Sequence, residues 1–282
     1  MARKLVRVFF RDKLAVTGLF IAVLFVILAC WPTAWLPANP RSTSPQMRLT
    51  PPAWTAAGTM ERPLGTDQLG RDILSRVVVG TRVSLSIASL AVLISAVLGI
   101  AAGVIAGYFG GLIDSVIMRL VDVQLAFPLL LVIIALVALL GASIPILIVL
   151  LGLSGWAQYA RLVRAETLAV KEREYVAASL ALGNSSFGTI WRHVLPNISS
   201  TTIVIGTFEL ARVLLVESSI SFLGLGVQPP TPSWGSMIAD GRNYIYQGWW
   251  VSTIPGIAIV LAVMSFNFIG DGLRDVLDPK SR

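Results

Sequence analysis

Cysteine and histidine are nearly absent from this sequence of 282 residues, which contains one of each, Cys30 and His193. A single cysteine excludes an internal disulfide and a multi-cysteine metal site, and one histidine cannot form a histidine cluster. Charged residues are also scarce, at 13% of the chain, where a soluble domain has about 25%. The composition therefore indicates neither metal nor redox chemistry, and no cofactor is expected in this chain.

A phosphate-binding loop is missing as well, because no Gly-x-x-x-x-Gly-Lys-Ser/Thr motif occurs in the sequence. The net charge of +7 does not indicate nucleic acid, since Lys and Arg lie at the ends of apolar runs and in short loops. Hydrophobic residues, by contrast, make up 55% of the chain. Their long runs predict an all-α polytopic protein of the lipid bilayer.

The apolar runs predict six transmembrane helices with both termini cytoplasmic. Lys and Arg support this orientation, with 14 on the predicted inner side and seven on the outer side. The predicted divisions are a cytoplasmic N-terminus at 1–13, a first span at 14–35, an external loop with an interfacial helix at 36–82, and a core with spans two to six at 83–282. Within that core lie a cytoplasmic stretch at 165–196 and an external loop at 223–250.

Two features near the N-terminus have competing interpretations. A signal peptide cleaved near Cys30 is possible in principle, but the apolar run exceeds a typical signal core and Trp31 follows the cysteine, which favours an uncleaved span. Further on, Thr66 and Asp67 lie between glycines and are typical of a helix N-cap, with Ile73 at helical spacing beyond them. We expect a helix to begin there and to lead into the second span.

Small residues and a proline predict how the spans pack. Gly99, Gly103 and Gly107 recur every four residues, which is typical of a face where two helices approach closely. Pro128 interrupts the third predicted span near its inner end, and we expect a kink or break there.

The stretch 174–196 is the one long polar interruption in the second half of the chain. Small residues at positions 177, 178, 179 and 181 would let another surface approach a helix backbone, and Gly183 is suited to a left-handed helix stop. Residues 184–186 can cap a second helix, which Pro196 would end. We interpret this stretch, named here the docking segment, as a surface for a partner protein.

Three charged residues lie in the fifth predicted span, 198–222: Glu209, Arg212 and Glu217. Charges at membrane depth are costly and face the protein interior or water. Glu209 and Arg212 are three positions apart and are suited to pairing. Glu217 has no charged partner in its own span, which leaves a transport-path role and a buried structural role equally open. All three charges are candidates for the translocation path or its gating.

At the docking segment the chain resembles the inner-membrane permease subunits of ABC importers. Their cytoplasmic signature is Glu-Ala-Ala, three residues, Gly, nine residues, then Ile-x-Leu-Pro. The sequence matches it at Gly183, Leu195 and Pro196. The residues that the resemblance implies for ATPase docking are Glu174, Ala177, Ala178, Ser179, Gly183, His193, Leu195 and Pro196.

Three positions depart from that signature. Ala177 replaces the acid, Ser179 the second alanine and His193 the isoleucine. The missing acid puts a salt bridge to the ATPase in doubt, and Glu174 and Arg173 are the alternative contributors. Docking in this chain should therefore depend on small-residue packing and on Gly183.

Other motifs resemble the second permease of dipeptide and oligopeptide importers, at 64–72, 221–235 and 270–279. The resemblance implies a bacterial inner-membrane subunit that pairs with a homologous permease. It also implies two ATP-binding subunits, which would bind ATP and Mg, and an external peptide-binding protein. The implied function is ATP-driven import of dipeptides or short oligopeptides by a complex in which this chain is not itself an enzyme.

The residues alone leave other functions open. The same machinery could import nickel complexes or oligosaccharides. An ion-coupled secondary transporter would use Glu209, Arg212 and Glu217 to carry protons. A membrane scaffold without a transport role is the third possibility.

Overall fold

The computed structural model describes residues 8–277, and its regular elements within that range are all helices. The predicted all-α class is therefore confirmed. Five basic residues of the charge count lie outside the described range: Arg3, Lys4, Arg7, Lys280 and Arg282.

Ten α-helices follow one another along the described chain, and the segments between them contain three short 3₁₀ turns and one π turn. They are α1 Lys13–Cys30, α2 Ile73–Phe109, α3 Gly111–Ala126, α4 Leu129–Leu140, α5 Ile144–Lys171, α6 Glu174–Ala181, α7 Ser186–Thr189, α8 Leu195–Phe222, α9 Trp234–Gly241 and α10 Trp250–Leu277. The short helices α6 and α7 lie at one end of the bundle and α9 lies at the other, and we name these the α6–α7 end and the α9 end.

Four of the described helices are long and apolar enough to cross a membrane, namely α1, α2, α5 and α10. The pair α3 and α4 makes a fifth candidate if the two are counted as one bent span. Helix α8 is 28 residues long, as are α5 and α10. It differs from them in its three charged residues and many hydroxyl groups. The described chain is thus a membrane protein with four or five candidate spans by length and composition.

The expected N-cap at Thr66 and Asp67 is wrong. Helix α2 begins at Ile73, and its cap is Asp72, whose carboxylate accepts the backbone N–H of Ser75 at 2.8 Å. Asp67 is instead satisfied within its own turn, where it accepts the N–H groups of Leu69 and Arg71. From Ile73 the helix runs unbroken for 37 residues, so its first turns, which carry Ser75 and Arg76, and its apolar span form one continuous helix.

Helix α2 packs along α5, and the glycine stripe is the contact between them. A Cβ placed on Gly99 would lie 2.3 Å from Cβ of Tyr159, and one on Gly103 would lie 2.6 Å from the carbonyl oxygen of Ala160. No side chain fits at such separations, so the two backbones meet only because these positions are glycine. The predicted close-packing face is confirmed.

The expected interruption at Pro128 is also present. Helix α3 ends at Ala126, α4 begins at Leu129, and their axes differ by 85°. Proline lacks the N–H that would continue the helical ladder, which accounts for the break. Most side chains of α3 and α4 are exposed, and among the described residues α4 packs chiefly on α5.

Helix α1 lies against α10 through small residues. A Cβ on Gly18 would lie 2.7 Å from the carbonyl oxygen of Ser265, and one on Gly272 would lie 2.4 Å from Cβ of Ala15. Near the α9 end, Phe25 contacts the ring of Trp234 edge-on, with centroids 5.3 Å apart. This packing fixes α1 to the bundle along its length.

Candidate functional site

The docking segment folds as a helix, a tight turn and a second helix. Gly183 adopts φ +83°, and no atom lies within 4 Å of a Cβ built there. Glycine is therefore required for its backbone conformation and not for space. Ser185 caps α7 by accepting the N–H of Gly188 at 3.2 Å. The predicted left-handed stop and the predicted cap are both present.

A small hydrophobic core lies between the docking segment and the ends of α2 and α5. Val176 and Val194 are fully buried, and they pack with residues of α2 and α5 that include Val104 and Val163. Above this core, the amide of Asn184 donates to Ser179 Oγ at 3.0 Å, and Ser179 Oγ lies 3.4 Å from Thr189 Oγ1. Apolar contacts and hydrogen bonds together hold the turn against the end of the bundle.

The expectation that Pro196 ends the second helix is wrong. A π turn at Ile190–Val194 joins α7 directly to α8, and Leu195 N donates to the carbonyl of Ile190 five residues earlier. Pro196 lies in the first turn of α8, where its missing N–H costs little. The wider π turn accommodates the ring, so the chain stays helical from Ser186 to Phe222.

Large apolar side chains face outward from the segment, and sequence reasoning did not single them out. Leu182 is 85% exposed, Phe187 76% and Trp191 65%. The rings of Phe187 and Trp191 stack, with centroids 6.4 Å apart and an angle of 15° between their planes. Their i, i+4 spacing beyond a glycine turn was the available signal. We name these three residues the apolar rim.

The other predicted docking residues lie around this rim in different environments. Glu174, Ala177 and Ala178 are exposed on α6, while Ser179 is buried and bonded as above. His193 is half-buried, and its ring lies 5.9 Å from that of Tyr175. Leu195 is half-buried and Pro196 is exposed at the start of α8. The structure thus brings the predicted set together at the α6–α7 end, with Glu174, Ala177, Ala178, Gly183 and Pro196 exposed and Ser179 buried.

Glu209 and Arg212 form the predicted ion pair on α8. Arg212 Nη2 donates to Glu209 Oε1 at 2.5 Å and Arg212 Nε donates to Oε2 at 2.7 Å. Arg212 Nη2 also donates to Ser154 Oγ on α5 at 3.2 Å. Space for the carboxylate comes from Gly155, because a Cβ there would lie 2.1 Å from Glu209 Oε1. The pair therefore joins α8 to α5.

The pair lies on a face of α5 and α8 that carries exposed polar groups. Glu209 is 3% exposed, but 25% of the Arg212 side chain is exposed, and Gln158 is exposed one turn beyond Ser154. Polar groups at such positions are unfavourable against lipid. Towards the α6–α7 end, the same helices line a groove of about 400 Å³, together with Arg274 of α10. We name the surface of α5 and α8 around Gln158, Glu209 and Arg212, with this groove, the polar face.

Glu217 lies nearer the α9 end and is fully enclosed. Ser221 Oγ donates to Glu217 Oε1 at 2.7 Å, and Ser84 Oγ of α2 donates to Oε2 at 3.4 Å. Ser84 Oγ in turn accepts the backbone N–H of Trp234 in α9 at 3.3 Å. Glu217 therefore bonds to hydroxyl groups and connects α8, α2 and α9, and it is separate from the polar face.

A second group of charges lies at the α9 end. Asp67 Oδ2 accepts Arg71 Nε at 2.6 Å, and Asp240 Oδ2 accepts both Arg71 Nη2 at 2.9 Å and Arg76 Nη2 at 3.0 Å. Asp67, Arg71 and Arg76 are buried. Trp250 Nε1 donates to the carbonyl of Thr66 at 3.0 Å beside them. These bonds hold the long loop before α2 to the start of α2 and to α9.

Comparison with known proteins identifies the family to which this chain belongs. Residues 99–282 match the family described as the binding-protein-dependent transport system inner membrane component. The chain belongs to this family. Residues 1–52 also match the N-terminal transmembrane domain of oligopeptide transport permease C. The docking segment, the polar face and Glu217 all lie within the range of the inner membrane component.

Curated relatives cover nearly the whole chain. The dipeptide transport system permease protein DppC of Escherichia coli (strain K12) is 43% identical over 272 residues, 96% of this chain and 91% of the relative. The di/tripeptide transport system permease protein DppC of Pseudomonas aeruginosa (strain UCBPP-PA14) is 41% identical over 96% of this chain and 90% of the relative. For DppC of Bacillus subtilis (strain 168) the values are 40%, 96% and 83%.

Membership of the inner membrane component family confirms the resemblance to ABC importer permeases and the prediction of a non-catalytic permease. A binding-protein-dependent system also disfavours the ion-coupled and scaffold alternatives. No residue of the docking segment, the polar face or Glu217 is assigned a role by these comparisons.

Proposed function

We propose that this chain is one of two permease subunits of an ATP-driven importer for dipeptides or short oligopeptides in the bacterial inner membrane. The proposal rests on the family and on the peptide systems named for its relatives. A homologous permease completes the path, an external binding protein delivers the peptide, and two partner ATPases bind ATP and Mg. This chain contains no phosphate loop of its own.

We propose six spans, with α3 and α4 as one bent span and α8 as the fifth. Helix α8 is 28 residues long, about 42 Å at 1.5 Å per residue, which is enough to cross the bilayer. Its charges are compatible with a span because they are paired or bonded inside the protein. With both termini cytoplasmic, the docking segment lies in the cytoplasm between spans four and five.

The apolar rim is the observation that carries the mechanism. Leu182, Phe187 and Trp191 project from a segment that has its own core and rigid turn. Stacked aromatic rings exposed in this way are suited to a pocket on a partner, where such residues supply most of the binding energy. We infer that the rim, with the small surface of Ala177 and Ala178, docks into a groove of an ATPase. ATP-driven closure of the ATPases would then move the helices.

The polar face is proposed as this chain's share of the translocation path. Arg212, Glu209 and Gln158 lie on it, and the first two neutralise each other. A neutral pair at this level of the path is compatible with zwitterionic peptides. Glu217 has no exposed surface, so we propose that it connects helices and does not contact the transported peptide.

Truncating the rim tests the docking proposal. The double variant Phe187→Ala, Trp191→Ala should lose ATPase association by at least about thirtyfold, because interface aromatics of this kind contribute about 2 kcal/mol or more. ATP-dependent uptake should fall with it. The measurements are co-purification of the tagged chain with its ATPases and uptake in proteoliposomes containing the whole complex.

Trp54→Ala is the matched control, since Trp54 is 62% exposed and lies outside the docking segment. The control should retain both association and uptake. Native-level association by the double variant would contradict docking through the rim.

Transport assays separate the substrate classes. Proteoliposomes with the binding protein should accumulate labelled dipeptide when ATP is present, and an ionophore that removes ion gradients should not stop them. Uptake of nickel complexes or oligosaccharides in place of peptide would contradict the substrate class. Uptake that requires an ion gradient would contradict ATP coupling.

Replacing Glu217 by glutamine should leave uptake within about twofold of native. The amide oxygen can still accept from Ser221, and the amide nitrogen can donate to Ser84 Oγ. Glu217→Leu removes the acceptor for the hydroxyl protons of Ser221 and Ser84 and should lower stability by about 1–3 kcal/mol. Loss of uptake in a fully stable glutamine variant would place Glu217 in the path instead.

A further inference from the structure

A cleft of about 590 Å³ lies where α1 ends, at the α9 end of the bundle. It separates the loop after α1 from the second turn of α2. It is not part of the docking segment or of the polar face. The residues that line it are Thr33, Ala34, Leu36, Ala38, Asn39, Pro40, Arg41, Val79 and Arg82.

Two cations line this cleft without a carboxylate beside them. Arg82 Nε donates to the carbonyl of Ala29 and Arg82 Nη2 to that of Trp31, both at 2.7 Å, which caps the C-terminus of α1. Carbonyl oxygens satisfy its N–H groups but do not neutralise its charge. Arg41 is exposed. Neither guanidinium forms an ion pair within residues 8–277, and no acidic residue lines the cleft.

The cleft lies at the level where the apolar surface of α1 gives way to tryptophan. Val26 and Ile27 are 57% and 50% exposed in the last turns of α1. Trp31 and Trp35 follow, with ring centroids 5.8 Å apart, and Trp35 is 71% exposed. Exposed tryptophans next to an apolar helix mark the headgroup region of a bilayer. A site for an anion here adjoins lipid.

We propose that this cleft binds the phosphodiester headgroup of a phospholipid whose acyl chains lie along α1. Arg41 and the unused N–H groups of Arg82 would donate to the phosphate, together with the Thr33 hydroxyl and the Asn39 amide. Asn39 Oδ1 already accepts the N–H of Arg41, which directs its NH₂ group elsewhere. Because Arg82 also caps α1, the bound lipid would stabilise the junction of α1 and α2. The proposal does not depend on the transported substrate.

Lipid retention by the purified full-length chain tests this site. Native mass spectrometry in detergent, with added phosphatidylglycerol as the probe, should show about fivefold weaker retention in Arg41→Gln, since one basic group near a membrane contributes about 1 kcal/mol. Thr33→Val, which removes a single donor, should give a smaller loss. Arg48→Gln is the matched control, because Arg48 is also exposed and lies over the Tyr244 ring.

The probes separate a lipid from a soluble anion. Diacylglycerol, which lacks the phosphate, should not be retained, and millimolar inorganic phosphate should not displace phosphatidylglycerol. Equal retention by the Arg41 and Arg48 variants overturns the site. Complete displacement by inorganic phosphate overturns the lipid as its occupant. If Arg41→Gln does not purify as a monodisperse protein, native retention by Thr33→Val overturns the proposal on its own.

Discussion

Replacing Glu209 by leucine is expected to lower the free energy of unfolding by about 3 kcal/mol, the lower end of the range for a buried ion pair, because it leaves Arg212 without a counter-charge while only 25% of its side chain is exposed. Glu209 is 3% exposed and accepts both arms of the Arg212 guanidinium. No other carboxylate pairs with Arg212 in the described chain. Thermal unfolding of the detergent-purified protein, followed by size-exclusion chromatography, measures the loss.

The double variant Glu209→Leu, Arg212→Met is the decisive companion. Removing both charges together should restore most of the stability, since a buried pair contributes little beyond an apolar replacement. Uptake should nevertheless stay well below native, because Arg212 exposes part of its side chain on the polar face. Native uptake by a stable double variant would show that the pair serves packing alone.

Replacing Gly99 by leucine should destabilise the protein by about 3 kcal/mol or prevent its assembly, because overpacking a tight interface forces backbones apart. The Cβ alone would lie 2.3 Å from Cβ of Tyr159 and 2.6 Å from the carbonyl oxygen of Trp156. Both obstacles belong to α5, and the carbonyl cannot move without bending that helix. Separating α2 from α5 would also disturb the core under the docking segment, which both helices supply.

Gly256→Leu provides the matched control for that variant. Gly256 is also helical, in α10, and no atom lies within 4 Å of a Cβ built there. Its substitution should change the unfolding temperature little. Comparable instability in both variants would mean that leucine is disfavoured for reasons other than the α2–α5 contact.

Sequence patterns predicted the parts of the site that depend on local chemistry. Gly183 was identified because only glycine readily adopts a left-handed conformation, and Ser185 lies within the predicted cap because a hydroxyl can replace a missing helical acceptor. The glycine stripe was identified by its period of four, which needs no knowledge of the partner helix. In each case the cause lies within a few residues of its effect.

The remaining features depend on contacts between distant parts of the chain. Asp67 looks like a cap in sequence, but Arg71, Arg76 and the neighbouring backbone determine what it binds. The π turn before Pro196 has no local signature, so a proline that normally ends a helix was misread. Phe187 and Trp191 are exposed because the opposite face of the segment, which carries Val176 and Val194, packs on the bundle. The sequence does not reveal which face is buried.

Helix α8 contains one charged feature that depends on local sequence and one that depends on contacts between distant parts of the chain. The Glu209–Arg212 pair was predicted from its spacing, because the two partners are a single helical turn apart. The hydroxyl partners of Glu217 come from α2 and from Ser221 one turn along α8, and the link to Trp234 extends them to α9. Three helices meet there, so the surroundings of Glu217 required the tertiary structure.

The unbroken helical path through the π turn makes α8 a lever. The short arm, made of α7 and the π turn, carries Phe187 and Trp191, and the long arm, α8 itself, carries Arg212 and then Glu217. Over the 28 residues of α8, at about 1.5 Å per residue, a tilt of roughly 5° displaces the far tip by about 4 Å. A loop in place of the π turn would absorb such a rotation. Joined as it is, the helix can transmit a force applied at Phe187 and Trp191 along the whole length of α8.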